Sequence, residues 1–254
     1  MLGEQSIVGQ EGGVSFDHIV RVIASGGFRN ALLNTVQIAV GATIGCLVLG
    51  LVLALILSFV AFPGSRIVER LIETFVALPT FLVALAFTFI YGSAGILNES
   101  LIGLFGLDSP PVDFLYSQWG VILAEVTVYT PFVLRPLLAA FSLIDMSQIE
   151  VAGSLGARPL RVVRQVILPA AVPALLAGGS LCLLLTVNEF GVVLFIGAKG
   201  VITLPLLVYD KAIQEFDYTT ACVIALVNVA LSMGLYTLYR SLVVRFGGRR
   251  AGLV

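Results

Sequence analysis

Five long apolar stretches divide this chain, and shorter polar segments separate them. Each stretch is long enough to cross the hydrocarbon core of a bilayer as a helix, which takes about 20 apolar residues. The pattern therefore predicts an all-α fold, a polytopic transmembrane helix bundle with five visible spans. The predicted spans are Ala31–Phe62, Leu71–Tyr91, Trp119–Phe141, Val166–Thr186 and Tyr218–Leu242.

The composition agrees with lipid as the main solvent of the chain. Of the 254 residues, 59% are hydrophobic and 11% are charged, whereas about a quarter of the residues in a soluble domain are charged. The net charge of −1 and the lack of a basic run predict no nucleic-acid partner. Cys46, Cys182, Cys222 and His18 do not cluster at metal-ligand spacing, so we expect no metal site.

Basic residues alternate from one loop to the next. The basic segments hold Arg66 and Arg70, then Arg158, Arg161 and Arg164, and finally Arg240, Arg245, Arg249 and Arg250. The loop after the second span has no Lys or Arg, and acidic residues accompany the two lysines after the fourth span. Because cytoplasmic loops carry the excess of Lys and Arg, we expect residues 1–30 to form an extracytoplasmic arm. Residues 145–170 and the tail, 246–254, are then cytoplasmic.

Residues inside the spans favour a transporter over a simple anchor. Pro79, Pro131 and Pro136 each free a backbone carbonyl that neighbouring helices or water must satisfy. Gly41 and Gly45 form a G-x-x-x-G pair, which lets two helix backbones approach closely. These features predict kinked, closely packed helices.

The segment between the third and fourth spans is short, charged and amphipathic: EVAGSLGARPLRVVRQVILPAAVP. Asp145 or Ser147 can cap a helix there, and Glu150 follows Ser147 at capping-box spacing. Gly156 ends that helix, and Pro159 opens the next one. Such a segment forms either a docking surface or a loop that anchors its neighbours to lipid headgroups.

The same segment resembles the EAA motif of binding-protein-dependent ABC importer permeases, which reads E-A-A, three residues, G and then I-x-L-P. The matching residues are Glu150, Ala152, Gly156, Ala157, Leu168, Pro169 and Pro173. Two positions depart from the motif, because Val151 replaces the first alanine and Gly153 extends the run of small residues.

The resemblance covers the chain from about Phe16 onward and includes RNALLNTVQIAV and YTPFVLRPLLAAF. The segment TVNEFGVVLFIGAKGVITLPLLVYD resembles permeases for sulfate, molybdate, iron, thiamine and phosphonates. Within that group the chain is most similar to permeases of 2-aminoethylphosphonate importers. Family members usually begin with one more span, so we expect that a first span is missing from this sequence.

The resemblance implies a subunit of the bacterial inner membrane that works as a pair with the same or a homologous permease. Cytoplasmic ATP-binding subunits would drive the pair, and an extracytoplasmic solute-binding protein would deliver the solute. The residues implied to couple to the ATPase are Glu150, Ala152, Gly156, Ala157, Arg161, Leu168 and Pro169. The sequence has no G-x-x-x-x-G-K-[ST] loop, so we expect no ATPase site and no bound cofactor in this chain.

Polar residues inside spans are candidates for the transport pathway, because they are costly in lipid. By resemblance, Asn188, Glu189 and Gly191 occupy the gate position, at the outer end of the fourth span. Glu125 lies in the third span, and Arg135 lies about 15 Å further along the same helix, where it either lines the path or reaches the headgroups. Glu189 is the main candidate, for gating or structure more than for ligand contact.

The sequence leaves three alternatives open: another solute, an ion-coupled transporter and a membrane enzyme. The same machinery could carry sulfate, molybdate, iron(III) or thiamine. An ion-coupled secondary transporter would need a midplane ion site and usually internal repeats, and a membrane enzyme would need a reactive cluster that the sequence does not offer.

Overall fold

The computed structural model describes residues 16–243 and Arg245. Helices account for all regular structure in this part of the chain. The α-helices are α1 (Phe16–Ala24), α2 (Gly26–Phe59), α3 (Ser65–Phe75), α4 (Thr80–Tyr91), α5 (Ile96–Phe105), α6 (Gln118–Phe141), α7 (Met146–Ser154), α8 (Pro159–Val162), α9 (Leu168–Val187), α10 (Gly191–Ile196), α11 (Leu204–Tyr209) and α12 (Tyr218–Val243). Two π-helical turns, Val163–Ile167 and Asp210–Gln214, complete the helical structure of the described chain. The predicted tail and the first half of the predicted arm lie outside the described residues.

Five stretches of the described chain are long and apolar enough to cross a membrane. They are Gly26–Phe59, Thr80–Phe105, Gln118–Phe141, Pro159–Val187 and Tyr218–Val243. The predicted number of spans and four of their positions are therefore confirmed.

The second predicted span, Leu71–Tyr91, is wrong as one continuous helix. Helix α3 ends at Phe75, and Pro79 precedes α4 instead of lying within it. Proline has no N–H to donate and keeps the preceding residue out of the helical region, so the chain breaks here. Pro131 and Pro136, by contrast, do lie inside α6.

Helices α2, α6 and α9 form the centre of the bundle, and small residues let them approach closely. A side-chain carbon at Gly41 would lie 3.0 Å from Cδ1 of Ile122, and one at Gly45 would overlap Val126. These contacts explain the G-x-x-x-G pair, because Gly41 and Gly45 both face α6. At the end of the bundle where α2 and α6 finish, the rings of Phe59 and Phe141 lie 5.4 Å apart.

The chain after α9 turns back into the opposite end of the bundle. Its backbone is fixed to the first turns of α2, where Thr35 Oγ1 accepts a hydrogen bond from Leu204 N at 2.8 Å. Asn34 Nδ2 donates to the carbonyl of Ile202 at 3.0 Å. The segment between α9 and α12 is thus part of the bundle and not a free loop.

Candidate coupling segment and intramembrane polar site

Asp145, and not Ser147, is the N-cap residue of helix α7. Asp145 Oδ1 accepts a hydrogen bond from Ser147 N at 2.9 Å, and this hydrogen bond lowers the pKa of the Asp145 carboxyl below its usual value. The predicted capping box of Ser147 and Glu150 is wrong, because Ser147 already lies inside the helix. A carboxylate is an effective acceptor at this position, since it also meets the positive end of the helix dipole.

The end of α7 is built from three residues of the motif. Gly156 has a φ of +77°, a conformation that glycine adopts without strain. Gly156 N donates to Gly153 O at 2.9 Å, and Ala157 N donates to Ala152 O at 3.0 Å. This pair of hydrogen bonds is a Schellman motif. Ala152 and Ala157 are half-buried against the bundle core, so their small side chains seat the turn.

A π-helical turn follows where the chain re-enters the bundle. Pro159 occupies the first turn of α8, as predicted. Residues 163–167 then form one wide π-helical turn, in which Leu168 N donates to Val163 O. Pro169 cannot donate to the carbonyl four residues earlier, and the wide turn accommodates that missing hydrogen bond.

The coupling segment, residues 145–170, presents basic and apolar side chains away from the bundle. Glu150 and Val151 are exposed, and Leu155 and Leu160 are 83% and 79% exposed. A groove of about 790 Å³ is lined by Arg158, Leu160, Arg161, Arg164, Gln165 and Pro169. Pro169 is partly buried where it lines this groove, and Leu168 beside it in the chain is also partly buried. This surface can receive a partner that supplies acidic and apolar groups.

Glu189 lies in the interior and connects three helices. It follows the end of α9 and is 6% exposed. Its Oε1 accepts hydrogen bonds from Val192 N at 2.8 Å and from Thr80 Oγ1 at 3.2 Å. Tyr129 OH donates to the other oxygen, Oε2. One carboxylate therefore holds α4, α6 and α10 together at the point where α4 and α10 begin.

Asn188 fixes the depth of this site in the bundle. Asn228 Nδ2 donates to Asn188 Oδ1 at 2.9 Å, and Asn188 Nδ2 lies 3.3 Å from Ser232 Oγ. Asn228 is ten residues from the start of α12, about 15 Å along that helix. Asn188 and Glu189 directly follow Val187, where α9 and the fourth membrane stretch end, and Asn188 lies beside the middle of α12. They lie well inside the bundle, because the chain turns at the end of α9.

Of the other predicted pathway residues, Gly191 and Glu125 lie near Glu189 and Arg135 lies apart. A side-chain carbon at Gly191 would lie 3.0 Å from Thr80 Oγ1 and 3.3 Å from Glu189 Oε1, so this residue belongs to the Glu189 site. Glu125 is fully buried in α6. Arg135 is exposed on another face of the same helix.

Residues 46–251 match a protein family described as binding-protein-dependent transport system inner membrane component. The chain belongs to this family. It is an inner-membrane permease that crosses the membrane several times.

The permease is similar to PhnU of Salmonella typhimurium strain LT2, whose name, 2-aminoethylphosphonate transport system permease protein, is a provisional assignment. The two are 61% identical over 249 residues, which cover 98% of this chain and 87% of the relative. A probable sulfate transport system permease of Chlorella vulgaris is 32% identical over 213 residues, or 82% of this chain and 76% of that one.

The fold is that of solved ABC transporter permeases. A chain in the crystal structure of a bacterial ABC transporter for alginate import superposes with a TM-score of 0.80 at 19% identity. The superposition covers 93% of this permease and 85% of that chain. At this level of identity the likeness shows a shared helix arrangement.

Sequence reasoning missed the residues that surround Glu189 and Asn188 in the permease. They are Thr80, Tyr129, Asn228 and Ser232. A signal was present, because each is a polar side chain in an apolar stretch and such residues usually face other protein groups. Tyr129 also follows Glu125 by four residues, which places both on one face of α6.

Proposed function

We propose that this permease imports 2-aminoethylphosphonate into the cytoplasm as the transmembrane subunit of an ATP-driven ABC importer. The observation that carries the proposal is the 61% identity to PhnU over 98% of the chain. The identity to the sulfate permease is 32% over 82% of the chain. This difference in sequence identity supports a phosphonate as the solute over sulfate.

Three kinds of partner follow from this function. A solute-binding protein delivers the solute outside, a second permease subunit completes the transmembrane pair, and ATP-binding subunits work on the cytoplasmic side. In this proposal the chain holds no ATPase site and no cofactor of its own. Residues 31–245 form the transmembrane domain, the coupling segment faces the cytoplasm, and residues 1–30 form an extracytoplasmic arm.

The coupling segment contacts the ATP-binding subunit through its exposed face. The Schellman turn at Gly156 and the wide turn before Pro169 set the angle between α7 and the bundle. Motion of an ATPase attached to α7 then reaches α9 directly, because fewer than fifteen residues of largely helical chain separate them. Such a lever suits rigid-body rocking between two bundle states.

Glu189 acts in gating by holding the half-helices α4 and α10 on α6 and not by binding the solute. Its carboxylate is engaged by three donors, and a bare carboxylate would repel a phosphonate. Arg135 is exposed on α6 and either lines the path or reaches the headgroups.

Growth on 2-aminoethylphosphonate as the only phosphorus source tests the substrate. We expect a strain that lacks this permease to stop growing on that compound and to grow normally on inorganic phosphate. Expression of the permease from a plasmid should restore growth. Normal growth of the deletion strain, combined with a new requirement for sulfur, iron or thiamine, would overturn the assignment to phosphonate.

A further inference from the structure

Glu125 is a carboxyl group in the centre of the bundle that no described donor satisfies. Its side chain is completely buried, at 0% exposure. Neither of its oxygens has a hydrogen-bond partner among the described residues. Burying an ionised carboxylate without donors costs far more free energy than burying the neutral acid, because nothing replaces the lost water.

The groups that face Glu125 supply no compensating positive charge. Cys46 lies on α2, Cys182 on α9 and Tyr129 on the same helix, and Glu189 follows α9. Of these described neighbours, Cys46 Sγ donates to Val126 O and Tyr129 OH donates to Glu189, and a thiol, a phenol or a carboxyl group cannot carry a positive charge. The surroundings of Glu125 therefore favour its protonated form.

The hydrogen bonds of Glu189 and Glu125 differ, and this difference indicates which of the two carboxyl groups holds a proton. Two carboxyl groups in one buried region do not both ionise readily, since their charges repel each other at low dielectric. Glu189 accepts from Tyr129, Thr80 and Val192 N, whereas Glu125 accepts from no described group. Hydrogen-bond donors stabilise a charged carboxylate, and Glu125 has none among the described residues, so the proton belongs on Glu125.

We propose that Glu125 is a proton-binding site of the permease core, occupied while α2, α6 and α9 are packed together. When these helices separate and water reaches the carboxyl, the O–H bond breaks and the proton passes to water. Alkaline pH then favours the separated helices over the packed ones. This inference rests on the packing of the core and not on the solute, so a failed phosphonate test leaves it standing.

Infrared spectroscopy of the purified permease tests the protonation state. We expect a carbonyl stretching band of a protonated carboxyl group in the wild type, and we expect Glu125→Gln to lose it. Glu99→Gln is the matched control, because Glu99 is an exposed carboxylate on α5, and it should keep the band. A wild-type spectrum that matches the Glu125→Gln spectrum in this region would contradict the proposal.

The pH dependence of unfolding tests the same site through its linkage to stability. The packed state holds a proton that the unfolded state releases, so stability falls as pH rises above the usual titration range of glutamate. We expect the unfolding equilibrium constant of the wild type to rise about tenfold per pH unit more than that of Glu125→Gln. Glu125→Met gives the same comparison if the glutamine variant does not fold. Equal pH dependence in the wild type and the folded variant would overturn the proposal.

Discussion

Replacing Gly156 by proline is expected to abolish ATP-driven uptake while the permease still inserts into the membrane. Gly156 has a φ of +77°, and proline fixes φ near −65°. The substitution also removes the N–H that donates to Gly153 O. Proline is incompatible with both the left-handed φ and this hydrogen bond, so the turn that ends α7 is lost and the exposed face of α7 can no longer transmit motion to α9. We expect uptake to fall at least tenfold, about the factor that 1.4 kcal/mol gives.

Gly153→Ala is the matched control for this prediction. Gly153 lies in the same helix with open space around a side-chain carbon, so uptake should stay near the wild-type rate. Membrane insertion is measured from the amount of each variant in isolated membranes.

A second variant, Glu150→Lys, separates coupling from folding, because Glu150 is exposed and its change leaves the turn intact. Wild-type uptake by both Gly156→Pro and Glu150→Lys would remove the coupling role of this segment.

Glu189→Ala is expected to lower both thermal stability and uptake. The substitution leaves Tyr129 OH, Thr80 Oγ1 and Val192 N without their shared acceptor. Each buried group that loses its partner costs about 1–3 kcal/mol. The half-helices α4 and α10 then lose their common attachment to α6, and we expect uptake to fall by about tenfold or more.

Two comparisons show whether the acceptor oxygens of Glu189 matter. Glu189→Gln keeps one acceptor oxygen and the shape of the side chain, so it should retain more stability and uptake than the alanine variant. Glu99→Ala removes an exposed carboxylate and should match the wild type in a thermal unfolding scan in detergent. Equal melting temperatures for Glu189→Ala and Glu99→Ala would show that Glu189 does not hold these helices.

The number of membrane stretches and four of their positions could be predicted because a bilayer imposes length and apolar composition on each crossing helix. The turn at Gly156 and the start of α8 at Pro159 were also predictable, since both residues have strong local backbone preferences. The cap at Asp145 was one of two options. Local sequence could not decide between two polar residues two positions apart.

The intramembrane site could be predicted only in part, because its contacts are distant in sequence. Glu189 stood out as a charged residue in an apolar region, but its partners Thr80 and Tyr129 lie 109 and 60 residues away. The depth of Glu189 relative to the neighbouring helices could not be predicted for the same reason. It depends on the return of the chain into the bundle after α9, which Thr35 fixes from 169 residues away. Helix packing decides such contacts, and one sequence does not reveal it.

Uptake into proteoliposomes tests the central claim most directly. The permease is reconstituted with its ATP-binding subunit, its permease partner and the solute-binding protein, and ATP is enclosed with the ATP-binding subunit. The account predicts uptake of labelled 2-aminoethylphosphonate that requires both ATP hydrolysis and the binding protein and that Gly156→Pro abolishes. Uptake by the permease alone, driven by an ion gradient without ATP, would contradict it.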